Sequence, residues 1–380
     1  MEKFILPKYK IDSSSEISQI GLKAKKYNDI INLSIGDIDL DTDKRIIDKM
    51  YEKTLNGQTH YANTLGLIPL REEIVKVNKE DYNLDINLNE VFVATSATHA
   101  MYLVLKALIS EGDEVITFGP YFISYKKQVE LNGGKLVEVK TTKEDDFQID
   151  FDLLKRKINS KTKAIIINTP CNPTGKCFTL ETLKKLNEIV VENDLVLISD
   201  EIYTIYTYNG KFIPILSVNP NMDNIISIRA ASKEFAMTGF RMGYIIASSK
   251  LIEVIDYINE GVNYSAPTMS QNAYLEALKL RHEIYPVLYE EFKNRSIYAY
   301  NRLKNISFLE PIKPDGTIYM WVDIRKSKMS SVEYTQWLLE KHHILVLPGT
   351  IFGDSGEGYI RIALTVNQDM LKEAFDRLEK

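Results

Sequence analysis

Between about residue 90 and residue 250, short runs of β-branched and other apolar residues alternate with stretches whose apolar residues recur every three or four positions. The runs at 91–95, 114–118, 135–139, 164–168, 195–199 and 225–228 read as strands, and the stretches between them read as helices. Such alternation predicts an α/β architecture, a largely parallel sheet covered by helices. Open sheets of this kind bind ligands beyond the carboxyl ends of their strands. Three polar segments fall at such positions: Thr95-Ser96-Ala97-Thr98, Asn168 to Gly175, and Asp200 to Tyr203.

The last ninety or so residues change character. A long charged helical pattern near 286–305 is followed by strand-like runs at 317–322 and 358–363 and by a polar C-terminal helix. This predicts a smaller α+β lobe, completed by the first forty or so residues. At 380 residues the chain exceeds what one hydrophobic core usually serves. The expected division is a large domain over 45–285 and a small domain assembled from 1–44 and 286–380, with neither repeat nor linker.

Composition narrows the partners. The 47 basic and 52 acidic residues, net charge −5, are spread along the chain, which argues against a surface built to neutralise nucleic-acid phosphates. Two cysteines, Cys171 and Cys177, make neither a disulfide framework nor a zinc site, and they suit a reducing compartment. Histidines 60, 99, 282, 342 and 343 show no metal-ligand spacing, so no metal is expected. The apolar run at 1–7 is too short for a signal peptide, and nothing reaches the roughly 18 apolar residues of a membrane helix. The expectation is a cytoplasmic protein acting on small molecules.

Candidate chemistry concentrates just after strands. Lys233 and Arg241 lie eight apart among Ser, Ala, Gly and Met, a confined turn suited to Schiff-base chemistry at the amine, with a guanidinium fork near enough to take a phosphate. Standing alone, the lysine would read as a solvated surface amine. Asp200 and Tyr203 follow a buried apolar strand, and a carboxylate there is of the kind that keeps a cofactor ring nitrogen protonated. Its bland alternative is a helix cap. Asn172 sits in a Pro-rich, Gly-ended turn that holds polar groups rigidly. Ser96, Ala97 and Thr98 offer hydroxyls and a helix N-terminus, either a simple cap or an anion site.

Together these segments resemble the aspartate aminotransferase family, the fold-type I enzymes of aminotransferase class I and II that use pyridoxal 5'-phosphate (PLP). The likeness covers nearly the whole chain: Ile35-Gly36-Asp37, the Tyr61 to Arg71 pattern, Gly119-Pro-Tyr-Phe122, Asn172-Pro-Thr-Gly175, Asp200-Glu-Ile-Tyr203, the Lys233 segment, Pro314-Asp-Gly316 and Tyr359-Ile-Arg361. It implies a mainly parallel seven-stranded sheet in the large domain. Lys233 would carry PLP covalently and shuttle the substrate proton. Asp200 would pair with the ring nitrogen, Tyr203 and Asn172 with the ring hydroxyl, and Phe122 would stack on the ring. Ser96, Ala97, Thr98 and Arg241 would hold the phosphate, joined by Tyr61 from the neighbouring subunit of a homodimer. Arg361, with Asn172 and the Gly36 backbone, would take the substrate carboxylate.

Three positions depart from the family pattern: Ala230 where Gly or Ser is usual, Phe122 where Trp is frequent, and Thr98 where some readers of acidic side chains carry lysine. The resemblance implies transfer of an amino group from an L-amino acid to a 2-oxo acid such as 2-oxoglutarate. A carbon–sulfur β-lyase using the same lysine is the alternative. A non-catalytic PLP-binding sensor ranks last, since no DNA-binding extension is seen.

Overall fold

The computed structural model describes residues 4–6, 16–219 and 222–379; the parts of the N-terminal expectations that fall on residues 1–3 and 7–15 lie outside the described residues. After the helix Glu16–Ala24 comes a short strand, β1 (Ile31–Asn32). Then β2 (Val91–Ala94), β3 (Glu114–Gly119), β4 (Lys135–Lys140), β5 (Thr162–Asn168), β6 (Val196–Asp200), β7 (Ile225–Ala230) and β8 (Gly243–Ile246) form one seven-stranded sheet in the order β2-β8-β7-β6-β5-β3-β4. The pairs β3–β4, β3–β5, β5–β6 and β6–β7 are parallel, whereas β8 runs antiparallel to both β2 and β7. The sheet is thus mainly parallel, with β8 an addition to the six strands read from the hydrophobic pattern.

Alternation along each strand divides the interior in two. Val91, Val93, Ile165, Ile167 and Leu197 face one core, while Phe92, Ala94, Ala164, Ile166 and Ile198 face the other. Successive side chains point to opposite faces, so a strand covered on both sides must be apolar throughout, as the 164–167 run is.

The remaining strands are β9 (Glu310–Pro311), β10 (Tyr319–Asp323), β11 (Ile344–Leu345), β12 (Leu347–Pro348) and β13 (Tyr359–Ala363). Four of them form an antiparallel sheet in the order β12-β13-β10-β9, and β1 pairs in parallel with β11. A third core joins Ile31 and Leu33 to Met320, Val322, Ile360, Ile362 and Phe375. The helix Arg281–Leu303 links two cores: Ile284, Leu288 and Phe292 pack into the first, and Ala299 and Leu303 into the third. Among the described residues no helix is long and apolar enough to cross a membrane.

Candidate active site

The carboxyl ends of the large-sheet strands gather the polar segments. Asn168 closes β5 and is paired in register with Asp200, which closes β6. β7 ends at Ala230, and the single helical turn Ala231–Glu234 carries Lys233. After β2 the chain turns through Ser96 into the helix Ala97–Leu108. Ser96 caps that helix, its Oγ accepting from the His99 backbone N–H at 3.1 Å. It does so at φ 144°, a conformation that costs a non-glycine residue of order 1–3 kcal/mol and persists where the surroundings enforce it. Gly243 permits the close packing behind it: a Cβ there would lie 2.9 Å from the Ala97 nitrogen.

A cavity of about 460 Å³ opens between these strand ends and the small sheet. Gly36, Ser96, Ala97, Thr98, Phe122, Asn172, Asp200, Tyr203, Lys233, Arg241 and Arg361 all line it. Tyr61 does not; it is 86% exposed, with its ring edge-on to Tyr264 at 5.0 Å.

Asp200 is buried at the cavity floor. Its Oδ2 accepts from the Tyr125 hydroxyl at 2.6 Å, and its buried Oδ1 has no partner. Burial pushes the carboxyl up to about 6, with the Tyr125 bond and the Ile202 backbone only partly opposing. Asn168 donates to the Asp200 carbonyl at 2.8 Å and accepts from the Asn172 N–H at 2.7 Å, which locks the acid to the Pro-rich turn. The Lys233 amine donates to the Gly36 carbonyl, and the lysine's own carbonyl accepts from Tyr206 Oη at 2.8 Å.

Arg361, on β13, is 4% exposed. Its guanidinium donates to Asn172 Oδ1 at 3.0 Å and to the Ser34 carbonyl at 2.7 Å, and it lies 4.2 Å above the Tyr319 ring centroid. Tyr319 Oη in turn accepts from Tyr203 at 3.2 Å. Burial lowers the Arg361 pKa from its usual value. The hydrophobic pattern pointed to neither Tyr125 nor Tyr319 as a site residue. Tyr125 was visible only at the end of the stretch Gly119 to Tyr125 that carries the family resemblance, and Tyr319 only as part of a strand.

Histidine spacing likewise could not show that His282 comes beside Glu80 and Asp81 on the surface. Arg281 already pairs with both of those acids, at 2.5 and 2.8 Å.

A lysine amine, a buried half-satisfied acid and a buried guanidinium with no counter-ion around one cavity suit amine chemistry on a carboxylate-bearing substrate. The family model described as aminotransferase class I and II matches residues 28–378. The chain is 36% identical over 371 residues to an aspartate aminotransferase of Pyrococcus abyssi, covering 96% of this chain and 95% of that one. It is 34% identical to aromatic-amino-acid aminotransferase 2 of Thermococcus litoralis, again with 96% and 95% covered. The crystal structure of an aromatic aminotransferase from Pyrococcus horikoshii OT3 superimposes with a TM-score of 0.90 at 34% identity, covering 95% of this chain and 97% of that one.

The chain belongs to the aminotransferase class I and II family. It has the fold-type I architecture and is a PLP-dependent aminotransferase; the comparisons lend the β-lyase alternative no support. The residues present fit PLP. The unpartnered Oδ1 of Asp200 suits a protonated ring nitrogen, and the capped N-terminus of the helix Ala97–Leu108 together with Arg241 suits a phosphate.

Proposed function

We propose that this cavity moves the amino group of an L-amino acid to a 2-oxo acid such as 2-oxoglutarate, with Arg361 holding the α-carboxylate of each. One observation carries the reading: Arg361 is buried, its Nε has no partner, and among the described residues no carboxylate lies within ion-pair distance of it. A buried cation left without an anion is costly, so its natural partner is one that the substrate brings. A planar guanidinium can take both carboxylate oxygens at once.

PLP, when bound, serves as an electron sink for negative charge at the substrate α-carbon. Lys233 would be its covalent attachment point, and the Lys233 Nζ would be the base that moves the α-carbon proton. Asp200 would keep the ring nitrogen protonated. Tyr203 and Asn172 would hydrogen-bond the ring hydroxyl, Phe122 would cover the ring, and Ser96, Ala97, Thr98 and Arg241 would hold the phosphate. Gly36 and Asn172 border the carboxylate held by Arg361.

The same reading extends to specificity. Among the described lining residues the cations are Lys233, Arg241 and Arg361, each already assigned, while Ile35, Met101, Ile123 and Leu347 give apolar wall. With Thr98 in place of lysine, aspartate is not the best donor. A panel of acidic, apolar and aromatic donors against 2-oxoglutarate and pyruvate tests both levels. Transfer by no donor would overturn the function, and a clear aspartate preference would overturn the specificity. Arg361→Leu should weaken all donors alike by about 2–5 kcal/mol, on the order of 30- to 5,000-fold in kcat/KM; loss with only some donors would make it a side-chain reader.

The proposal includes a homodimer in which the exposed Tyr61 reaches the phosphate of the neighbouring subunit. It also includes a large PLP-binding domain over 45–285 and a small domain from 1–44 and 286–380, a division supported by the third core's use of both chain ends. A cytoplasmic location fits the two free thiols.

A further inference from the structure

Behind the cavity wall, the residues that follow Asp200, Tyr203 and Lys233 turn inward. Glu201, Thr204 and Glu234 are all buried. Glu201 is fully partnered: it accepts from Ser199 Oγ at 3.1 Å, Ser227 Oγ at 2.8 Å, the Ile215 N–H at 2.8 Å and Arg229 Nε at 3.0 Å. Arg229 is itself buried, with its guanidinium 4.4 Å from the Tyr82 ring centroid. Glu201 thus holds Arg229 through Nε, while Arg229 Nη2 is buried without a hydrogen-bond partner.

Glu234 is left as a buried acid with no cation of its own. Among the described residues none lies within ion-pair distance, and its carboxyl accepts instead from the hydroxyls of Thr204 and Tyr285, the latter at 3.3 Å. Facing it from the surrounding elements are Arg229 on β7, Tyr82 and Asp81 on the helix Ile68–Tyr82, Tyr244 on β8, Tyr274 on the helix Thr268–Lys279, Tyr206, and Tyr285 on the helix Arg281–Leu303. Only Arg229 carries a positive charge, and Glu201 already holds it.

We propose that Glu234 is a positioning residue for Lys233, its carboxyl tying the lysine turn to the Tyr203–Thr204 turn on one side and to the helix Arg281–Leu303 on the other. The inference rests on Lys233 as the attachment point of PLP. Four contacts converge on that one helical turn and its C-cap: Thr204 on Glu234, Tyr285 on Glu234, Tyr206 on the Lys233 carbonyl, and the Phe235 ring 5.0 Å from that of Tyr285. Adjacent residues of a tight turn cannot move independently, so fixing the Glu234 carboxyl fixes the direction in which Lys233 leaves the backbone.

A pH dependence follows from the same surroundings. Burial raises the Glu234 carboxyl from its ordinary 4.5 to about 7. The folded state therefore binds this proton more tightly than the unfolded chain does. The stability contributed by the protonated acid is full below about 4.5 and is lost as pH rises through about 7, where an uncompensated charge appears in the core and the bonds from Thr204 and Tyr285, which favour the charged form, only partly offset it.

The test compares the holoenzyme with its Glu234→Gln, Glu234→Ala and Tyr285→Phe variants. Turnover, the absorbance of bound PLP and thermal unfolding are followed between pH 5.5 and 9, and borohydride reduction maps the residue that carries PLP. Glu234→Gln, permanently neutral, should lose the inflection near pH 7 in all three profiles. Glu234→Ala should lower kcat about tenfold with donor KM changed less than about twofold, because Arg361 is untouched. Tyr285→Phe, which keeps the acid and removes one donor, should change kcat in the same direction by less.

Wild-type profiles in both Glu234→Gln and Tyr285→Phe, with PLP on Lys233, overturn this proposal alone. So does a Glu234→Ala variant that loses only thermal stability. PLP trapped on a different lysine overturns the reading of the site and this inference with it.

Discussion

Replacing Gly36 with alanine should damage the substrate end of the cavity through Tyr319. A Cβ at position 36 would lie 2.7 and 2.9 Å from the Tyr319 ring carbons Cζ and Cε1, and closer still to the hydroxyl. Carbon atoms pack at about 3.5–4.0 Å, so one partner must yield by roughly 1 Å. Neither is free to do so. Tyr319 is buried beneath the Arg361 guanidinium and bonded to Tyr203. The opposing segment is held by Arg361 on the Ser34 carbonyl at 2.7 Å and by Thr365 on the Ile35 carbonyl at 2.7 Å.

Overpacking of this kind costs about 1–3 kcal/mol of stability. A displacement near 1 Å at a group that orients substrate can cost on the order of 100-fold in rate. Thermal unfolding and steady-state transamination with several donors would measure the two effects separately. Gly36→Ala should lower kcat/KM by about 10- to 100-fold, equally for every donor, since Arg361 acts on the carboxylate they share. Adding Tyr319→Phe should recover part of the loss by removing the atom in closest conflict. Wild-type stability and KM in Gly36→Ala, or a loss confined to particular donors, would refute the contact between Gly36 and Tyr319 as the floor of the carboxylate site.

Asp200 makes the cofactor-free protein pH-sensitive: with its carboxyl raised from 3.8 to about 6, its protonated form stabilises the fold, and that contribution is lost as pH climbs from about 4 through 6. Measured against Asp200→Asn, the wild-type apoprotein should lose up to roughly 3 kcal/mol across that window, and a pH-independent difference would remove the buried, half-satisfied acid from the account. If Tyr61 completes the neighbouring site, verified heterodimers of Lys233→Ala and Tyr61→Ala chains should be more active than either parent homodimer, because one of their two sites carries neither lesion. Equal or lower activity would return Tyr61 to a packing role within its own subunit.

The sequence by itself determined what local chemistry can write. β-branched runs such as the one at 164–167 read as strands buried on both faces, and the polar residues after them then fall at the carboxyl edge of a sheet. The order of the segments around Gly36, Asn172, Asp200, Lys233 and Arg361 carried the family resemblance, and the fold brings those residues to one cavity. β8 escaped the reading of the hydrophobic pattern because Gly243–Ile246 is four residues long and earns its place only by pairing antiparallel between β2 and β7.

The tertiary structure alone decided who touches whom. Arg361 meets the Ser34 carbonyl from 327 residues away, Tyr203 meets Tyr319 from 116, and the acid beside the lysine turn finds its hydroxyl partners on two other elements. Periodicity reports which face of an element is buried but not what lies opposite it. The partnerless Arg361 Nε and Asp200 Oδ1, and the buried Glu234 carboxyl that meets hydroxyls and no cation, are properties of the packed surroundings, and no spacing along the chain encodes them.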